Sequence, residues 1–318
     1  MRLALIANPH ASRFSGRQRD RVVATLAAGH KVEVLQTGHA GQATELARQA
    51  VAGGAEVVAV LGGDGTVNEV VNGLRGSAAA LGLLGGGRVN VVTRGLGLPA
   101  GPDRAAARLV ELLAARARRR LTLGVAGERC FALNAGLGLG GAIVREVERR
   151  QRAKQLYGDW AYVAAGLKAL LVDYDRDHPH LTVHLPDGRP PLHGFFALVG
   201  NGDPFTYLGR RPFRPTPKAA WDGGLDLLVG QTMATRSLAR ALTGMLSPHP
   251  RAGYPGLPVL HDVDGFTLSS DIPLPFQLDG EYVGDRTSDR VAMVWPTSRS
   301  RPPSQAARGV GLNGRRPR

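Results

Sequence analysis

The stretch AVLGGDGTVNEVVNGL, Ala59 to Leu74, constrains the fold more than any other part of the chain. A run of β-branched apolar residues (EVVAVLGG, Glu56–Gly63) gives way to glycines and one aspartate, and a helical pattern (TVNEVVNGL) begins at once. A strand that ends in glycines and feeds a helix gathers free backbone N–H groups and a positive helix end at one spot, which suits a phosphate. Gly62, Gly63 and Gly65 are expected to remove the Cβ atoms that would block close approach. The spacing is neither G-x-G-x-x-G with a following ribose-binding acid nor G-x-x-x-x-G-K-[ST], so a dinucleotide Rossmann site and a P-loop are not indicated. Asp64 is out of place in a pure anion site. An acid beside phosphates holds a metal ion or a substrate hydroxyl, or it caps the helix.

Around this junction short apolar runs alternate with amphipathic stretches. Strands are expected at RLALIAN (Arg2–Asn8), KVEVLQT (Lys31–Thr37) and ALGLLG (Ala80–Gly85). Helices are expected at Gly16–Gly29, Gly41–Gly54 and Pro102–Ala117. Near-continuously apolar strands separated by helices argue a mostly parallel sheet covered on both faces, a three-layer α/β/α domain over residues 1–120. Past Arg120 the pattern becomes β-rich, with turns at PDGRPP, WDGG and LDGEYVGD. Helices are expected there at Gly141–Lys154, Gly158–Tyr174 and Thr235–Leu246. Residues 121–287 therefore read as a β-rich sandwich domain. A last strand near 288–297 is expected to return to the first domain, and 298–318 reads as a disordered basic tail.

With 40 Lys and Arg against 26 Asp and Glu, the formal charge is +14. The arginine is spread along the chain, so a compositional origin stands beside an anionic ligand or an anionic membrane surface. Zinc-finger spacing, RNP-like aromatics and basic heptads are all missing, so no nucleic-acid partner is expected. The single cysteine, Cys130, points to a reducing, cytoplasmic compartment. No apolar run approaches the length of a membrane span. Ser12 and Ser15 could touch a phosphate, or Ser15 could cap a helix.

GGDGTVNEVVNGL resembles the nucleotide-binding signature of the diacylglycerol kinase catalytic-domain family, which includes bacterial lipid kinases and sphingosine kinases and has NAD kinases as distant relatives. IANPHAS, TGHAGQATELA, GDWAYVAAGLKAL, the series from GNGDPF to GGLDLLV, and PFQLDGE resemble further family motifs in the same order. The resemblance implies an NAD kinase-like first domain, a second domain that takes the lipid, and ATP in the cleft between them. Asn8, Thr37, Gly62, Gly63, Asp64, Gly65, Thr66, Asn68, Arg88 and Asn90 would line the nucleotide, with Asp64 serving phosphates and Mg²⁺. Glu281 would take the proton from the lipid hydroxyl, and Asp279 would assist it or bind metal. A structural Mg²⁺ would use Asp222 with carbonyls near Ala219 and Gly224. The implied partner is a lipid, diacylglycerol above others, met by peripheral contact at a membrane surface; a homodimer is left open.

Two departures from the family pattern bear on turnover. Arg88 stands where a nucleotide-binding threonine is usual, as a permanent cation on the phosphates or an obstruction. Val91 and Gly140 stand where carboxylates of a metal and water network are usual. A relative that binds nucleotide or lipid without turnover is therefore the alternative reading, and a soluble-metabolite kinase acting on NAD is a third.

Overall fold

The computed structural model describes residues 1–12, 14–149 and 174–294. The first part alternates β1 (Arg2–Ala7), α1 (Gly16–Ala27), β2 (Lys31–Gln36), α2 (Gln42–Ala52), β3 (Val57–Leu61), α3 (Asp64–Leu74) and β4 (Ala80–Leu83). The short α4 (Val91–Gly95) and α5 (Pro102–Ala114) complete it. All pairings are parallel and the strand order is β2-β1-β3-β4. Alternation along each strand sorts the two faces. Leu3, Leu5 and Ala7 pack with Val22 and Leu26 of α1 and Ala105 and Ala106 of α5. Ala4 and Ile6 pack with Ala43 and Ala47 of α2 and Val67, Val70 and Val71 of α3. Helices thus cover both faces of a sheet buried between them. Ser15 caps α1 by accepting the Gln18 N–H at 3.2 Å.

The order reverses between β1 and β3: β1 leads outward to β2, and β3 leads outward the other way to β4. Doubly wound sheets open a crevice at the carboxyl ends of the strands at such a point. Here those ends are Asn8 after β1 and Gly62 after β3, joined by the Asn8 N–H donating to Leu61 O at 3.0 Å.

The second part is antiparallel. It contains β5 (Leu123–Ala126), β6 (Arg129–Phe131), β7 (Asn134–Leu137), α6 (Leu139–Arg149), β8 (Leu181–His184), β9 (Leu192–Gly194) and β10 (Phe196–Gly200). There follow β11 (Thr206–Leu208), β12 (Arg211–Phe213), β13 (Leu225–Gly230), α7 (Thr235–Met245), β14 (Val259–Val263), β15 (Gly265–Leu278) and β16 (Glu281–Val294). The long β15 shifts register between Ser269 and Leu274; its first half pairs with β8 and its last residues with β7. The sheet therefore folds over itself, and one core draws Leu181, Val183 and Leu268 from one layer and Leu137, Val199 and Leu227 from the other. This is the expected sandwich.

One expectation is corrected. The last strand does not return to the first sheet: Val291–Val294 pair with β5, and the same strand pairs with β15 along its length. The tight Asp279-Gly280 turn dictates this, because it sends the chain straight back along β15. The helix expected at 158–174, all but its last residue, the end of the one expected at 141–154, and the tail from 298 lie outside the described residues.

Candidate active site

A cleft of about 420 Å³ opens at the carboxyl ends of the first sheet. Asn8, Thr37, Gly63, Gly65, Thr66 and Arg88 line it together with His10, Ser12, His39, Glu69 and Gly87. The Asn8 side chain ties two walls by donating to Thr66 Oγ1 at 3.0 Å, and its Oδ1 accepts the His10 N–H at 2.9 Å. Thr37 is buried, and its N–H donates to Ala7 O at 3.0 Å.

The glycines divide their tasks. A Cβ on Gly62 would strike the Thr66 side chain at 2.7 Å, and one on Gly87 would meet the Gly63 Cα at 2.4 Å. Gly63 and Gly87 thus let two loops pack backbone to backbone, while Gly62 leaves room for the Thr66 side chain. Only at Gly65 would a Cβ meet nothing within 4 Å, so of the three signature glycines Gly65 is the one that faces open space. Of the three, Gly63 and Gly65 line the cleft and Gly62 does not. Asn90 holds the second loop. At φ +52° it accepts the Gly87 N–H at 2.9 Å and donates to Gly87 O at 2.8 Å, a structural task rather than a place on the cleft wall.

No side chain caps α3, whose N-cap is Gly63. The N–H groups of its first turn are left to a ligand or water. Asp64 is turned away from the cleft. Its Oδ1 accepts the Val92 N–H at 3.4 Å, at the start of α4. Burial raises its pKa, against the N–H groups of residues 90–92 and the charge of Arg94. The carboxylate that does line the cleft is Glu69, one turn on. Its Oε2 accepts the Ala43 N–H at 3.0 Å at the start of α2. Sequence reasoning passed over Glu69, although it stands within the quoted signature three residues from Thr66.

Another stripe of α3 faces the β-rich domain. Asn68 donates to Cys130 O at 3.0 Å and to Asp279 Oδ2 at 2.6 Å. Asn72 both donates to Cys130 O (2.9 Å) and accepts its N–H (2.8 Å), and Arg75 donates to Glu128 O at 3.1 Å. Spacings of four and three put these side chains on one side of the helix. Asn68, expected on the nucleotide, is an interdomain contact instead.

Asp279 is likewise not placed as expected. Its Oδ1 accepts the N–H groups of Leu133 (2.8 Å) and Asn134 (2.9 Å), and Oδ2 accepts those of Ala132 (2.8 Å) and Asn68. Burial pushes its pKa up while these donors pull it down. A carboxylate with four donors in hand has no lone pair left for a metal or a proton in transit. Asp279 and Gly280 (φ +50° and +81°) form the hairpin turn, and Glu281 is the first residue of β16. Glu281 is exposed and pairs with Arg129 at 2.7 Å. It does not line the glycine cleft. Its turn is nonetheless fixed to α3 at Asn68, about 7 Å along the helix axis from Gly63.

Asp222 pairs with Arg119 at 3.5 Å, and the Gly224 N–H donates to Asp262 Oδ1 at 2.7 Å. That arrangement is an ion pair on an exposed side chain, which does not fit a divalent cation held with Ala219 and Gly224. Among the described residues no group of three His, Cys, Asp or Glu side chains could hold a metal.

Comparison with known proteins places the chain in a family. The model of the diacylglycerol kinase catalytic domain matches residues 2–124. A protein of Chromohalobacter salexigens named as a YegS-like lipid kinase is 31% identical over 267 residues, covering 83% of this chain and 81% of its own. The chain belongs to the diacylglycerol kinase catalytic-domain family. A diacylglycerol kinase of Staphylococcus carnosus is 26% identical over 295 residues, 89% of each chain. A crystal structure of a diacylglycerol kinase from Bacillus anthracis superposes with a TM-score of 0.71, covering 92% of this chain and 94% of that one. Its 21% identity speaks to the fold alone. The family is one of lipid kinases, and among the described residues no helix is long and apolar enough to cross a membrane.

One titrating group lies close to Gly95 of α4. Asp203, after β10, has a buried Oδ1 with no hydrogen-bond partner, and Arg214 lies 3.2 Å from Oδ2. Burial raises its pKa to about 6, opposed by Arg214. Between the ordinary aspartate range and pH 6 the folded chain keeps a proton that the unfolded chain has released. This contribution to stability is therefore fully present in acid and lost as pH rises through about 6. Asp203→Asn is expected to raise the melting temperature more at about pH 8 than at about pH 4, read by thermal denaturation at both.

Proposed function

We propose that the protein transfers the γ-phosphate of ATP to the hydroxyl of a membrane lipid, diacylglycerol in the first instance. The observation that carries this reading is the uncapped N-terminus of α3, opening on the cleft at the sheet's switch point. Phosphates would lie against the N–H groups at Gly65 and Thr66, with Arg88 supplying a cation on the far wall. Among the described residues Arg88 has no carboxylate partner, so its charge is available to an anion. Mg²⁺ would arrive largely coordinated by phosphate oxygens and water, with Glu69 as the nearest carboxylate on the cleft wall. It would neutralise charge on the transferring group. Glu281, at the start of β16, would accept the lipid hydroxyl proton once released from Arg129.

Labelled ATP, Mg²⁺ and diacylglycerol in mixed micelles test this reading directly, and labelled phosphatidic acid is the expected product. Labelling of NAD in place of any lipid would overturn it. Binding of ATP with no product from a lipid panel would select the second reading, a binder without turnover, which the Arg88 position and the Glu281–Arg129 pair favour.

Two glycine variants separate folding from binding. Gly65→Ala should leave stability unchanged or slightly raised, since the new methyl meets nothing and alanine suits a helix. ATP affinity should fall about tenfold through lost backbone–phosphate contact. Gly87→Ala should cost about 1–3 kcal/mol of stability, because the methyl meets the Gly63 Cα. Denaturant titration and calorimetric ATP binding on both variants check the pair.

A further inference from the structure

The helix α7 and its neighbours carry charge that nothing in the described chain balances. Leu238, Ala241 and Met245 seat α7 on Phe196, Leu228 and Met233, with the spacing of a buried helical stripe. Arg236 and Arg240 stand one turn apart on the opposite side, and α7 contains no acid. On the flank, Leu242 is 49% exposed, more than any other large apolar side chain among the described residues. Arg251 joins them: its N–H donates to Tyr254 Oη, and the Tyr254 ring packs on Gly244 of α7. The β11–β12 hairpin lies beside the same helix end, where the Arg214 N–H donates to Met245 O at 3.0 Å, and its tip exposes Arg210 and Arg211.

None of these five arginines (210, 211, 236, 240, 251) has a carboxylate within ion-pair distance among the described residues. The acids between residues 204 and 258 are Asp222, paired with Arg119, and Asp226, buried against His261 at 2.7 Å. Like charges four residues apart destabilise a helix unless an anion meets them.

We propose that this face, α7 with the hairpin tip, docks the protein on an anionic lipid bilayer. It deepens the lipid-kinase reading and rests on it for its purpose. Exposed leucine among arginines is the composition of an interfacial contact, with apolar groups entering the acyl boundary and guanidinium groups meeting lipid phosphates. The hairpin also connects this face to the cleft region. Its Tyr207 carries the Arg94 guanidinium at 3.3 Å over the ring, and the Arg94 charge acts on Asp64 at the glycine turn. A bilayer met by α7 thus lies beside a hairpin that also touches α4, the helix following the second glycine loop.

The test uses the full chain with vesicles of phosphatidylcholine, with and without phosphatidylglycerol, read by cosedimentation. Binding is expected only to the anionic vesicles and should weaken as salt rises. The double variant Arg236→Gln/Arg240→Gln should lose roughly thirtyfold in affinity, about fivefold for each arginine. Leu242→Ser should weaken binding to the same vesicles. The control pair Arg104→Gln/Arg108→Gln on α5 removes equal charge elsewhere and should bind as wild type does. Equal losses in both pairs, no loss in the α7 pair, or binding to duplex DNA with none to vesicles would overturn the proposal. Phosphorylation of a short-chain, water-soluble diacylglycerol should be unchanged in the α7 pair. If no form phosphorylates it or any lipid of a panel while the vesicle pattern holds, the kinase reading fails and the docking face stands.

Discussion

Glu281→Gln is expected to lower lipid phosphorylation by about 10²- to 10⁴-fold, the range lost with a general base, while ATP affinity stays near wild type. Two features of the site set this expectation. Glu281 belongs to the β-rich domain and makes no contact with the glycine cleft, so a neutral isostere leaves the nucleotide wall untouched. Its ion pair with Arg129 joins two exposed side chains, and such pairs contribute little to stability. The variant should therefore melt with wild type. Single-turnover phosphorylation and calorimetric ATP binding on one preparation separate the two quantities. A loss under tenfold would remove Glu281 from the reaction and direct attention to Glu69, the carboxylate that does line the cleft. Arg129→Ala sharpens the point. If the arginine only holds Glu281 in the resting state, its removal should leave turnover at or above the wild-type level.

What the sequence made legible follows from how local each cause is. The first sheet, its parallel order and its two helix layers follow from apolar strands read against helical spacing, and these are properties of single segments. The glycine signature was correctly located at the strand–helix junction, but its residues could not be assigned to partners. Within eleven residues α3 serves three faces: Gly65, Thr66 and Glu69 toward the cleft, Val67, Val70 and Val71 toward the core, and Asn68 and Asn72 toward Cys130. Position on the helix decides which residue meets what. The neighbour on each side is a segment distant in sequence, so Asn68 was assigned to the nucleotide when it reaches Asp279, 211 residues away. Asp64 was misread for the same reason. Its partner is α4, a helix of five residues in a glycine-rich loop where no periodic pattern announces it. The final strand was expected in the first domain, yet its described residues pair with β15 and β5, because alternation identifies a strand but not the edge it joins.

Asp279 yields the largest expected change in stability. Asp279→Ala strips the acceptor from the N–H groups of Ala132, Leu133 and Asn134 and from one Asn68 proton, all at the half-buried junction of α3 with the β-rich domain. Leaving those N–H donors without an acceptor at this half-buried turn should cost about 3 kcal/mol, roughly 1 kcal/mol for each backbone donor, a large share of a domain's stability. Part of the loss in the alanine variant would come from its backbone, since residue 279 sits at φ +50°, a conformation that alanine disfavours. Asp279→Asn controls for this, because asparagine tolerates that region. Its single oxygen can still accept from Leu133 and Asn134, while its amide nitrogen faces the donors of Ala132 and Asn68. An intermediate loss is expected. Asn68→Ala removes the facing donor, and a double-mutant cycle with Asp279→Asn measures the coupling of the two side chains directly. Denaturant melts of these proteins give that coupling and check the order wild type, Asp279→Asn, Asp279→Ala. A loss below about 1 kcal/mol for the alanine variant would mean that water replaces the carboxylate at little cost. The turn carrying Glu281 would then be held by its strands alone rather than by α3.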